Sequence, residues 1–304
     1  MTQITIAYAP DNNRVTLTLT AMVSVLKNAK KTDEIEFVIL YSPHHLDEKY
    51  LPTFDNLQAI KPYKLNMIKV DENIFDNFPC SEGLTVESWF CSLLADLMPN
   101  NDNVLYMHCD TMVKSSLSDL FNTDLGDNLV GVVEDIYTSK QNAQRLDLND
   151  RLYFNSGVIL INTKAWRKAD FYNQLRNIVL VDKKILSEQD ALNKVCDNKK
   201  FLLSPKYNFM QVWWKKFVHE YDNSYFKEYE KAAEKPVIVH FVGAKPNAVA
   251  CKNKFTDEFL EYSLLVPAYD ILQKEVKSGI KGKTPEKNIL WKKALNFIKR
   301  TIKK

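Results

Sequence analysis

Residues 103–113 read NVLYMHCDTMV. An apolar run, Val104–Met107, ends at His108 and Asp110, and apolar character then resumes. Successive side chains of a strand point to opposite faces, so residues two apart share one. His108 and Asp110 therefore project together from the carboxyl end of a predicted strand. In open α/β sheets that end is where ligands bind.

The segments on either side say what kind of sheet this strand enters. Ile4–Tyr8 reads as a first strand, ended by Pro10-Asp11-Asn12-Asn13, and Val15–Asn28 has apolar positions at helical spacing. Ile35–Tyr41 is a second strand, bracketed by Asp33-Glu34 and Ser42-Pro43. A helix around His45–Phe54 and a strand near Asn66–Val70 follow, and Leu84–Leu97 reads as helical. This βαβαβ beginning predicts an α/β fold with a mainly parallel sheet and helices on its faces. Beyond Asp110, Leu129–Val133 is an apolar strand that stops at Glu134-Asp135.

Composition excludes several classes. The 304 residues suffice for one large α/β domain or two smaller ones, and include only 7 glycines, with no G-x-G-x-x-G and no Walker-type loop. The 5 cysteines are scattered without a C-x-x-C, which favours free thiols over a disulfide framework or a structural zinc site. The start MTQITIAYAP lacks the basic and apolar regions of a signal peptide, and no run is long and apolar enough to span a membrane. A cytoplasmic protein is expected.

Three further segments carry chemistry-bearing residues. YFNSGVILINTKAW, residues 153–166, places Asn155-Ser156-Gly157 before a strand, with a helix from about Lys164 to Val181. Asn155 can both donate and accept hydrogen bonds, and Gly157 permits close backbone approach. SEQDALNKV, residues 187–195, reads as a helix capped by Ser187, with Gln189 and Asp190 in its first turn. PVIVHFVGAKPN, residues 236–247, ends a strand in His240, with Gly243 and Lys245 close behind. A histidine, a glycine and a lysine so spaced suit a metal and a phosphate together. Taken singly, each segment has a structural explanation as well: a loop, a cap, a core histidine.

In this order and spacing the four segments resemble the family 8 glycosyltransferases, which include bacterial lipopolysaccharide galactosyl- and glucosyltransferases and glycogenin. The resemblance runs from Ile4 to about Pro246. It implies a GT-A fold over residues 1–250, binding a UDP-hexose (galactose or glucose) with a divalent cation, usually Mn²⁺. By similarity, His108, Asp110 and His240 are metal ligands. Tyr8, Asn12, Asp110, Gly243 and Lys245 hold the nucleotide and its diphosphate. Asn155, Gln189 and Asp190 line the sugar and acceptor side, with Gln189 behind the anomeric carbon of a reaction that retains configuration. Two departures stand out. The family's D-x-D motif is here His108-Cys109-Asp110, which removes one negative charge. Where its members commonly carry Tyr-x-Arg-Leu, this chain has Phe90-Cys91-Ser92, without the arginine that helps hold the donor. These departures keep alive an alternative, a catalytically weak member that binds a nucleotide or glycan, beside transfer to a glycoprotein acceptor.

Residues 251–304 form a second region. From Lys274 onward 11 Lys and Arg stand against 2 Glu, about +9, which leaves the body near −6 of a net +3. Ile289, Leu290, Trp291, Leu295, Phe297, Ile298 and Ile302 recur near a helical period among these cations. Such a helix suits an anionic membrane surface. A peripheral enzyme at the inner face of the membrane, acting on a lipid-linked glycan such as lipooligosaccharide, is the expectation. No nucleic-acid motif accompanies the basic tail.

Overall fold

In the computed structural model the described residues are 2–80, 85–211, 223–248 and 250–267, with 269, 272 and 274. The main sheet has seven strands: β1 (Thr2–Tyr8), β2 (Asp33–Tyr41), β3 (Tyr63–Lys69), β4 (Asn103–Met107), β6 (Val130–Val132), β7 (Val158–Asn162) and β8 (Lys200–Leu202). Their order is β3-β2-β1-β4-β7-β6-β8. β1 pairs in parallel with β2 and β4, β2 with β3, and β6 with β8, while β7 runs antiparallel to both its neighbours. A smaller sheet joins β5 (Thr111–Val113), β10 (Ile238–His240) and β9 (Phe209–Met210).

Alternation along the central strands divides the core. Ala7, Val38, Val104, Tyr106 and Ile159 face one apolar layer, and Ile6, Phe37, Ile39, Leu105 and Leu160 face the other. Strands covered on both faces read as continuous apolar runs, which is why β1, β4 and β7 stand out in the sequence. The helix Val15–Asn28 is buried from Val15 to Leu26 against the second layer. Two of its hydroxyls bond back to the preceding turn: Thr18 Oγ1 donates to Arg14 O at 2.8 Å and Thr20 Oγ1 to Thr16 O at 2.7 Å. The helix Thr256–Ser263 lies against it, and Asn28 Nδ2 donates to Tyr262 Oη at 2.8 Å.

Local corrections to the expected elements have identifiable causes. The helix expected from Lys164 to Val181 is two, Thr163–Lys168 and Phe171–Val181. Asp170 between them has φ of 50°, and the break lets Trp166 stack on Phe171 at 3.6 Å between ring centroids. The segment expected as a helix near His45–Phe54 is a 3-10 helix, Glu48–Asp55, with Pro52 inside it. Val86–Leu93 is also 3-10, with only Leu94–Leu97 α-helical. All five cysteines are free thiols. Among the described residues no helix is long and apolar enough to cross a membrane. The expected amphipathic helix after Lys274 lies outside the described residues.

Candidate active site

The His108–Asp110 link carries the chain from the large sheet to the small one. His108 N donates to Gly157 O at 2.8 Å, extending the β4–β7 ladder by one step. Thr111 Oγ1 closes the turn on His108 O at 2.8 Å. On the other side His240 pairs with Thr111 across the β5–β10 register, and Phe241 N donates to Asp110 O at 2.9 Å. Sheet pairing alone therefore brings three separate segments to one point. His108, Asp110 and His240 each offer a ligand atom there, all within 4.8 Å of one another. His240 Nε2 lies 3.6 Å from Asp110 Oδ1, and Lys245 Nζ forms an ion pair with Asp110 Oδ2.

His240 is aimed by its surroundings. Asn208 Nδ2 donates to Asn155 Oδ1 at 3.0 Å, so Asn208 Oδ1 is the acceptor for His240 Nδ1 at 3.1 Å. That assigns the proton to Nδ1 and leaves Nε2 as the ligating nitrogen, a common second layer around metal-binding histidines. Asn155 Oδ1 also accepts from Gly157 N at 3.0 Å, and Asn155 Nδ2 donates to Asp135 Oδ2 at 3.2 Å. Gly157 is required by space, because a Cβ there would lie 2.0 Å from His240 Cε1.

The electrostatics suit a divalent cation. Burial, reinforced by His240, pushes the His108 imidazole down to about 3, so it is neutral with a lone pair to give. Burial alone would raise the Asp110 carboxyl, but His240 and Lys245 outweigh it and hold the group well below the usual carboxylate range. Two imidazole nitrogens and one carboxylate form a donor set of the kind taken by Mn²⁺ and neighbouring transition metals. The residues fit the group.

The start of the helix Glu188–Val195 stands on the other side of the Asn155–Gly157 loop. Ser187 caps it, accepting from Asp190 N, as the sequence predicts. Gln189 Oε1 accepts from Ser156 N at 2.8 Å and from Ser156 Oγ at 3.0 Å. Because a backbone N–H can only donate, the amide orientation is determined, and Nε2 faces Asp135 Oδ2 at 3.4 Å.

A family model, glycosyl transferase family 8, matches residues 5–247, most of the chain. This chain belongs to glycosyl transferase family 8. Among similar proteins, General stress protein A of Bacillus subtilis is 26% identical over 247 residues, covering 79% of this chain and 86% of that protein. A lipopolysaccharide 1,2-glucosyltransferase of Escherichia coli is 24% identical over 298 residues, covering 95% of this chain and 86% of its own length. The galactosyltransferase LgtC, solved with donor and acceptor sugar analogs, superposes with a TM-score of 0.78 at 26% identity, over 87% of this chain and 96% of that one.

Within this family 8 fold the expected site residues fall into groups. His108, Asp110, His240 and Lys245 converge, and Asn155 and Gln189 adjoin them through the Ser156–Gly157 loop. Gly243 follows His240 in an exposed turn with φ of 82°. Asn12 is tied to the loop before the 3-10 helix Glu48–Asp55, its Oδ1 accepting from Asp47 N at 2.8 Å. Tyr8 is fully buried, and its hydroxyl has no hydrogen-bond partner among the described residues. Asp190 is buried and fully engaged: Oδ1 accepts from Arg145 Nη2 and Tyr153 Oη, both at 2.7 Å, and Oδ2 from Leu186 N at 2.9 Å. Cys91 is buried in the core with its thiol donating to Ser88 O at 3.4 Å. Sequence reading overlooked Asn208 and Asp135, which hold His240 and Gln189. Asp135 had a signal, since it stands at the polar end of an apolar strand; Asn208 had none. It also overlooked Arg14, which bonds Asp11 Oδ2 at 2.8 Å and Thr85 Oγ1 at 3.2 Å beside the turn after β1.

Proposed function

We propose that this chain is a retaining α-hexosyltransferase, moving galactose or glucose from a UDP-sugar to a surface glycan such as lipooligosaccharide. The observation that carries the reading is the meeting of Asp110, His108 and His240 with Lys245 beside them. Transfer from a nucleotide sugar builds negative charge on the departing diphosphate. A cation held by those three residues supplies Lewis-acid stabilisation of that charge when bound. Lys245, 43% exposed in its side chain, can turn from Asp110 to a phosphate oxygen.

Gln189 supports a route without a covalent sugar–enzyme intermediate. Its carbonyl oxygen already accepts two hydrogen bonds from Ser156, and an amide is a poor nucleophile. Its Nε2 is the group left to orient the sugar, while the donor's own phosphate assists departure on the same face. The relative named lipopolysaccharide 1,2-glucosyltransferase supports the acceptor class. The basic tail supports a location on an anionic membrane, where a lipid-linked acceptor is presented.

Titration calorimetry with UDP, with and without Mn²⁺, tests the reading on the wild type and on Asp110→Ala. Metal-dependent UDP binding that vanishes in the variant is expected. UDP binding of equal strength with and without metal would overturn the metal assignment. Loss of the family's arginine at Cys91 favours a second reading, a weak nucleotide-binding partner protein. Tight UDP binding without turnover of any UDP-hexose would select it.

A further inference from the structure

Glu188 begins the helix that carries Gln189, is 3% exposed, and has no ion-pair partner among the described residues. Its Oε1 lies 2.9 Å from Ser156 Oγ, and Ser156 Oγ lies 3.0 Å from Gln189 Oε1. A serine hydroxyl carries one proton. With an ionised Glu188, that proton serves one contact and leaves two oxygens facing each other at the other. Oε2 of Glu188 finds no hydrogen-bond partner among the described residues. The nearby Ser88 hydroxyl donates to Thr85 O at 2.9 Å. The backbone N–H groups of Glu188 and Gln189 and the Ser88 hydroxyl favour the anion, but burial outweighs them, and an anionic Oε2 would lie buried without a hydrogen-bond partner, which is costly.

Resting on the transferase reading above, we infer that Glu188 carries a proton in the resting protein and acts through Ser156 as a positioning residue for Gln189. Glu188 donates to Ser156 Oγ, Ser156 Oγ–H donates to Gln189 Oε1, and the Gln189 Nε2 is left facing Asp135 and the sugar side. Every contact in the chain then has one donor and one acceptor. The replacement at Cys91 fits this arrangement. The 3-10 helix Val86–Leu93, packed against Glu188, presents Cys91 and Ser88 and carries no lysine or arginine. Tyr106 of β4 and Cys80 are the other titratable groups that feel Glu188, and none of these is positively charged. Burial raises the Glu188 carboxyl above its ordinary range, outweighing its contacts with Ser156, Ser88 and the backbone N–H groups of Glu188 and Gln189. Without a neighbouring cation to hold it ionised, the acid keeps its proton.

The test is an infrared difference spectrum of the intact protein, wild type minus Glu188→Gln, at neutral pH and without substrate. A neutral carboxylic acid C=O band, shifted in D₂O and absent from the variant, is expected. A carboxylate band in its place overturns the inference. Kinetics give the functional arm with a UDP-hexose donor. Glu188→Ala lowers kcat about tenfold with little change in donor KM, the effect of losing one buried hydrogen-bond link. Glu188→Gln, whose amide can donate to Ser156 Oγ, restores it to within about threefold. The wild type loses activity on the alkaline side as Glu188 deprotonates, and Glu188→Gln lacks that limb. A Glu188→Gln as impaired as Glu188→Ala would also overturn the inference. The spectrum needs no turnover, so an acid band without UDP binding rejects the transferase reading alone, and UDP binding without an acid band rejects this inference alone.

Discussion

Gly157 adjoins one residue of the candidate metal site, His240, and Lys245 another, Asp110, and substitutions at the two should act with opposite signs. Alanine at Gly157 would set a Cβ 2.0 Å from His240 Cε1, and the imidazole, packed beside Asn208, must move. We expect Gly157→Ala to lower Mn²⁺ affinity about 10–100-fold, the range seen when a metal-binding histidine loses its orientation, read by calorimetry on the folded variant. Lys245 is a competitor for Asp110 in the absence of nucleotide, because its ammonium pairs with one of the same carboxylate oxygens. Removing it in Lys245→Ala frees that oxygen and lifts a nearby positive charge. Mn²⁺ affinity without nucleotide should then rise about threefold to tenfold, a modest gain because the lysine is part-exposed. UDP affinity in the presence of Mn²⁺ should fall about tenfold, since a charge-assisted phosphate contact is lost. Both constants falling together would mean that Lys245 supports the site without competing for it.

The helix Glu188–Val195 delivers Gln189, and its N-terminus rests on one hydroxyl. Ser187 Oγ accepts from Asp190 N at 3.3 Å, so Ser187→Ala should destabilise the protein by about 1 kcal/mol, measured by urea denaturation, with a larger proportional loss of activity than of stability. This cap was legible in the sequence because capping is local: a serine, then an acidic first turn. The central strands and the helix Val15–Asn28 were legible for a related reason, since burial on both faces writes an apolar run and burial on one writes a period. The helix break at Asp170 was not, because its cause is tertiary: Trp166 and Phe171 stack only once the two pieces are turned apart. The site divides in the same way. His108, Asp110 and His240 sit at strand ends and can be read as such, whereas Asn208 gains its meaning from a pairing 32 residues away with His240. Asp190 and Tyr8, singled out by their places in motifs, also have structural partners that the sequence does not show: Arg145 and Tyr153 hold the one, and the other is buried beside Phe37.

At the scale of the whole molecule the charge is divided, and the division predicts where the enzyme works. The body is near −6 and the segment from Lys274 onward about +9, so the body alone is repelled by an anionic bilayer and the tail alone is drawn to it. Each basic residue near such a surface contributes about 1 kcal/mol, and insertion of the interleaved apolar residues Trp291, Leu295, Phe297 and Ile298 would add to it. The attraction is screened within about 8 Å at physiological ionic strength, so binding should weaken steeply with salt until only the apolar part remains. The full chain is therefore expected to sediment with vesicles containing anionic lipid, and much less with neutral ones. A chain ending at Lys274 should lose that binding while keeping metal-dependent UDP affinity, because the ligands and Lys245 all precede it. Retained vesicle binding by the shortened chain would move the membrane contact to the body. Lost UDP affinity would mean that the tail completes the donor site instead of placing it beside a lipid-linked acceptor.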